Sequence, residues 1–190
     1  MSVKKILQLG TPLLWERSAT VVDVYDRSVQ SIIRDLDDTL GWFRSTTGWG
    51  RGISAPQIGE LARISFIRMD ENLSREGRLL TAGERSFDPG SALVLVNPSI
   101  TWRSPETFTL WDDCFSFPDL LVEVSRNESI EVAYADSEGN PHCLLAHHGL
   151  SELLQHELDH LDGILAIDRR INDRSFATRT ALQQLKILPG

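Results

Sequence analysis

In LLQHELDHLDGIL, residues 153–165, two histidines stand four positions apart and a glutamate directly follows the first. At 3.6 residues per turn, His156 and His160 fall about 40° apart on one helical face, one turn above the other, where two imidazoles can hold a single cation. Glu157 is rotated by about 100° from His156, awkward for a third ligand but well placed to reach a water on that cation. Leu150, Leu153, Leu154, Leu158 and Leu161 cover most of the remaining circumference, so the helix over 150–161 is expected to be buried on nearly all sides. Burying His, Glu and His together without a partner is costly. That cost puts a metal site ahead of two satisfied histidines on an ordinary helix.

The third ligand is not adjacent. An extension to HExxHxxGxxH fits at Gly163 but fails at its last position, which is Ala166. A glutamate on a following helix is excluded too, because only Asp162, Asp168 and Asp173 remain downstream as acids. Upstream, WDDCFSFPDLLVEVSR offers Cys114, just before the strand-like LLVEVS. A thiolate with two imidazoles leaves one tetrahedral position open for water. Cys143, with His142, His147 and His148 beside it, is the rival set, on an expected edge strand and the turn into the helix. Spacing favours Cys114, against its bland reading as a small buried hydrophobe.

A Gly-rich stretch, GWGRGISAPQIG at 48–59, could bring backbone close to a ligand. Pro56 stiffens the chain before Gln57, whose side-chain amide can donate to an oxyanion. The stretch lacks the spacing of a dinucleotide or phosphate loop.

Taken in order, GRGISAPQ, DDCFS and QHELDH resemble the three motifs of the peptide deformylase family. ILQLGTPLLWERSATVVD and LVNPSI resemble that family's N-terminal segment and the strand before its cysteine, so the similarity spans nearly the whole chain. The resemblance implies Cys114, His156 and His160 as metal ligands, Glu157 as general acid/base, Gln57 as side-chain oxyanion donor and the Phe115 backbone N–H as the second donor. Gly52 then lines the substrate cleft, and Arg126 pairs with Asp159 to brace the helix. The implied cofactor is one divalent ion, ferrous iron first, with zinc, nickel or cobalt able to take its place. The implied chemistry is hydrolysis of an N-formyl group, in the family that of the initiator methionine of nascent polypeptides, by activated water.

Departures fall on the substrate side. Asp113 replaces a glycine whose carbonyl receives the substrate N–H, adding a charge near the thiolate. Phe115 replaces Leu, and Asp112 replaces Glu. Leu121 stands where many members carry an arginine that helps hold the peptide, and Ser54 replaces the first Ala of Ala-Ala-Pro-Gln. These changes keep two alternatives in view: a related amidohydrolase acting on another N-formyl or small N-acyl substrate, non-ribosomal ones included, and a non-catalytic metal-binding homologue.

The elements that must position these groups are legible. A length of 190 residues suits one domain over 1–190 with a substantial core. The expected class is α+β, mostly antiparallel strands around the buried HExxH helix, with a C-terminal helix over 173–186. Val29, Ile32, Ile33, Leu36, Leu40 and Phe43 form the apolar stripe of an early amphipathic helix. Short strands are expected from Leu93 to about Ala146, with DSEGNP as a hairpin turn. Residues 70–90 are polar and Gly-rich, and the expectation there is an inserted surface loop between two strands.

Net charge is −8 and the pI about 5.1, which disfavours nucleic acid or an anionic membrane as partner. Two cysteines give no disulfide framework and suit a reducing cytoplasm. Gln8, Gly10 and Pro12 interrupt the first apolar run, so no signal peptide is expected there, and no stretch has transmembrane length. The expected partner is an N-formylated peptide or related small substrate, with the chain monomeric or weakly dimeric. Ribosome association is not readable from the residues.

Overall fold

The computed structural model describes residues 2–80 and 85–187. Helix α1 (Arg27–Thr47) starts where the Asp26 carboxylate accepts the Ser28 N–H at 2.7 Å and stops at Gly48, whose φ of +76° only glycine adopts without strain. Its stripe Val29, Ile32, Ile33, Leu36 and Leu40 is buried as the spacing requires, with Phe43 half-buried.

Among the described residues, ten strands follow in two antiparallel sheets. The larger contains β1 (Gly52–Ser54), β2 (Ile64–Arg68), β3 (Gly77–Leu79), β4 (Arg85–Ser86), β5 (Ala92–Arg103), β8 (Ser129–Ala135) and β9 (Pro141–His147). Its spatial order is β1-β2-β5-β8-β9-β3-β4. The smaller sheet is β10-β7-β6, from β6 (Thr107–Asp112), β7 (Leu120–Asn127) and β10 (Phe176–Thr178). Between them runs α3 (His148–Leu161), buried from Leu150 to Leu161. Leu150, Leu153, Leu154 and Leu158 pack on Ile67, Leu95, Val132 and Leu144 of the larger sheet. The α+β expectation, with a buried HExxH helix at the centre, describes this arrangement. No helix among the described residues is long and apolar enough to cross a membrane.

Three expectations need correction. The 70–90 segment is not simply a surface loop. The Asp70 carboxylate accepts the Asn72 and Leu73 N–H groups, each at 2.9 Å, and starts a short helix α2 (Glu71–Glu76) that buries Leu73 in the core. The segment then adds β3 to the sheet, pairing Gly77 with Ala146. Glycine suits position 77, since a Cβ would lie 2.5 Å from Leu150 Cδ2 and force that side chain to shift. Residues 81–84 of this segment lie outside the described ones. In consequence β9 is not an edge strand, because β3 covers it. The C-terminal helix over 173–186 shortens to α4 (Arg179–Gln184), preceded by β10, which pairs Phe176–Thr178 with Val122–Leu120. Thr178 makes the switch: its hydroxyl accepts the Ala181 N–H at 3.2 Å and caps the helix.

Candidate metal centre and active site

The single turn between β6 and β7 brings Cys114 onto the His156/His160 face of α3. Cys114 Sγ lies 3.3 Å from His160 Nε2, and the two Nε2 atoms lie 3.2 Å apart. All three residues are buried, and their ligand atoms lie within 4.8 Å of one another. Tetrahedral bonds of about 2.0–2.1 Å to nitrogen and 2.3 Å to sulfur put such atoms about 3.3–3.6 Å apart. The set therefore fits one cation. The rival set does not converge: His142 Nε2 meets Asp136 at 2.8 Å, and His147 Nδ1 meets the Ser129 hydroxyl at 2.8 Å.

The last residue of β6 fixes one imidazole. Asp112 Oδ1 lies 2.8 Å from His156 Nδ1, an ion-pair contact in which the ring N–H points off the straight line to the oxygen. Asp112 Oδ2 accepts from Arg126 at 2.9 Å, and Arg126 donates in turn to Asp159 at 2.6 Å, with Arg169 also on Asp159. The Arg126–Asp159 brace expected from the motif is present; its extension through Asp112 to His156 is not readable from the spacing. Burial works to raise the Asp112 carboxyl, but His156 and Arg126 outweigh it and hold it at about 2. Burial likewise works to lower His156, and Asp112 reverses this and raises it well above the ordinary range. His160, buried and next to His156, is lowered well below it. Its Nδ1 has no partner among the described residues.

Glu157, the next residue on α3, is 2 % exposed. Burial pushes its carboxyl up to about 7, against the lowering effect of His156 and of a Ser54 hydrogen bond. That bond is short: Ser54 Oγ donates to Glu157 Oε2 at 2.6 Å, while lying 2.8 Å from Ser65 Oγ. The replacement of Ala by Ser at position 54 thus reaches the centre of the site. The other oxygen, Oε1, faces Gly52, where a Cβ would come within 2.5 Å of it. Gly52 lines the cavity, and a side chain there would displace the Glu157 carboxylate.

Gln57 is oriented by the same loop. Its Oε1 accepts the Ser54 backbone N–H at 2.8 Å, which turns Nε2 toward Cys114 Sγ and Ser116 Oγ, each at 3.4 Å. The Phe115 N–H has no partner among the described residues, while its ring packs on Trp49 and Phe43. Asp113 does not leave a bare charge near the thiolate. Arg179 of α4 donates to it at 2.8 Å, and the same guanidinium lies 5.1 Å from the Trp49 ring centre. Leu121 is buried against β10 and does not line the cavity.

Cys114, His156, Glu157 and Gln57 open into a cavity of about 290 Å³. Its wall also carries Arg51 and Glu152, joined at 2.7 Å. Sequence reading missed both, although Glu152 stands four residues before His156 on the same helical face.

An HExxH helix completed by a thiolate from a distant turn defines a mononuclear metal-dependent hydrolase on an antiparallel α+β scaffold. Residues 3–176 match the family profile described as polypeptide deformylase. The chain is 37% identical over 175 residues to the peptide deformylase of Thermomicrobium roseum, covering 92% of this chain and 89% of that one. It superposes on the peptide deformylase of Ehrlichia chaffeensis in complex with actinonin with a TM-score of 0.75 at 27% identity, covering 98% of both chains. A Met-Ala-Ser-bound class I type b peptide deformylase from Acinetobacter baumannii is similar at a TM-score of 0.72 and 25% identity, covering 89% of this chain and 99% of that one. The chain belongs to the polypeptide deformylase family.

Proposed function

We propose that this chain, acting as one domain, hydrolyses the C–N bond of an N-formyl group at the amino terminus of nascent polypeptides, releasing formate and a free amine. One observation carries the reading: the Glu157 carboxylate and the Gln57 amide face the same small cavity as Cys114 and His156, two members of the Cys114–His156–His160 donor set. Those three residues would hold one divalent cation, ferrous iron in this reading with zinc, nickel or cobalt as substitutes, and it would supply Lewis acidity when bound.

The chain's own groups do the rest. Glu157 accepts the water proton at Oε1, since Oε2 is tied to Ser54, and returns it to the departing nitrogen. Gln57 Nε2 and the Phe115 N–H donate to the formyl oxygen as it gains charge, each donor contributing about 3 kcal/mol in comparable sites. The Asp113 carbonyl accepts the substrate N–H, and Asp112 holds His156 in place. Cys114 and Cys143 form no disulfide, which supports a cytoplasmic setting, where formylated chains are made.

Anaerobically prepared, ferrous-loaded protein is expected to release formate from formyl-Met-Ala-Ser. No turnover at full metal loading would reject the reading. The charged cavity wall favours a second one, an amidohydrolase of the same family acting on a different N-formyl or small N-acyl substrate. A non-catalytic role is opposed by the placement of Glu157 and Gln57, and loss of activity in Glu157→Ala with metal retained would exclude it.

A further inference from the structure

We infer that the Arg51–Glu152 pair gives this site a further activity: deformylation of N-formyl residues whose first side chain ends in a carboxylate or carboxamide, at least as efficiently as formyl-methionine. The inference rests on the deformylase reading and names a substrate class for it. With the formyl group between Glu157 and Gln57, whatever is bonded to its nitrogen must fill the rest of the cavity. The wall there is the preceding turn of α3, about 5–6 Å along the axis from His156, and it carries Glu152 and Leu153. A side chain two or three atoms beyond Cβ spans that distance.

What the side chain meets is a guanidinium. Glu152 is 3 % exposed, whereas the Arg51 side chain keeps 39 % of its accessibility. Glu152 takes one N–H of Arg51, and no other acceptor among the described residues takes the remaining donors. The nearby acids are already engaged: Asp113 by Arg179, and Asp70 by two backbone N–H groups at the start of α2. Arg44 also lines this cavity, with no acid partner among the described residues. A thioether placed here strips water from donors and returns nothing, while a side-chain oxygen replaces that water. Buried ion pairs are seldom required for stability, and an apolar pair of similar volume is often tolerated. The charged wall is therefore explained better by recognition than by folding.

The reaction is unchanged in its balance. Water adds to the formyl carbon as the C–N bond breaks, and Glu157 carries the proton from water to nitrogen.

The test compares kcat/KM of the metal-loaded enzyme on formyl-X-Ala-Ser, with X as Met, Gln, Glu or Lys. Gln and Glu are expected to match or exceed Met and to exceed Lys by on the order of tenfold. Arg51→Ile combined with Glu152→Leu is expected to turn the preference to Met by a similar factor. Arg51→Lys, which keeps the charge, is expected to narrow the Gln:Met ratio without reversing it. Tenfold preference for Met or for Lys in the unaltered enzyme would overturn the inference and leave deformylation standing. A Gln:Met ratio unmoved by both variants would overturn it as well. Failure to turn over any of the four peptides would remove the deformylase reading together with it.

Discussion

Asp112→Asn isolates the contact that orients a metal ligand without touching the ligands themselves. Asp112 serves two cations at once, with Oδ1 at 2.8 Å from His156 Nδ1 and Oδ2 at 2.9 Å from Arg126. Asparagine keeps the volume but has one acceptor oxygen. Turned toward His156, it points its NH₂ at the Arg126 guanidinium, donor against donor; turned the other way, it invites His156 to lose its Nδ1 proton and carry it on Nε2, the metal-facing atom. Both arrangements weaken the site, and His160 offers no compensating brace, since its Nδ1 has no partner among the described residues. Loss of such an outer contact typically costs 10–100-fold in metal affinity, or about 1.4–2.8 kcal/mol. The metal-free protein should lose about 3 kcal/mol of stability, the low end for a broken buried pair, because Arg126 keeps Asp159. Competition against a chromogenic chelator measures the first quantity and urea unfolding of the apo form the second. Affinity within twofold of the parent protein would refute the assigned role of Asp112. The folded carboxyl sits at about 2, below its ordinary 3.8, so its stabilising contribution is complete above about pH 4 and is lost as pH falls through about 2.

Glu157→Gln should lower kcat by about 10²–10⁴-fold while retaining one bound cation, and comparable turnover in the variant would exclude Glu157 as the base. In the parent enzyme, turnover should fall as pH drops through a midpoint at or below about 7, since the carboxyl raised by burial must be ionised to accept a proton and a bound cation draws that midpoint lower. Turnover that rises as the pH drops from 8 to 5 would contradict this. Ser54→Ala removes the 2.6 Å anchor on Oε2 and should reduce kcat about tenfold with little change in KM; an unchanged kcat would show that the hydroxyl does not position Glu157. Gly52→Ala puts a methyl 2.5 Å from Oε1, and the resulting shift of the carboxylate should cost on the order of 100-fold in kcat, measured on protein that binds the cation normally.

Sequence spacing located the metal helix because the requirement is local: two imidazoles one turn apart on an apolar helix need no tertiary information. Cys114 was harder: spacing favours it over Cys143 only modestly, the resemblance adds to that preference, and the 3.3 Å approach to His160 across 46 residues supports it. Asp112 stands in the sequence only as a replacement for Glu; its contact with His156 is not legible there because it depends on strand pairing, which sets Asp112 opposite Val122 and beside Arg126. The segment after Asp70 misled because a six-residue helix and a three-residue strand carry too few apolar positions for any period, and Leu73 alone anchors α2 in the core. The C-terminal segment misled for the opposite reason. Its residues suit a helix throughout, but pairing with β7 claims Phe176–Thr178 for the sheet.

X-ray absorption on protein loaded with one equivalent of ferrous iron or zinc addresses the claim on which all of this depends. The expected first shell contains one sulfur at about 2.3 Å and two imidazole nitrogens at about 2.0–2.1 Å, with a further light atom, and the sulfur contribution should vanish in Cys114→Asp. A shell of nitrogen and oxygen alone in the unaltered protein would contradict the account.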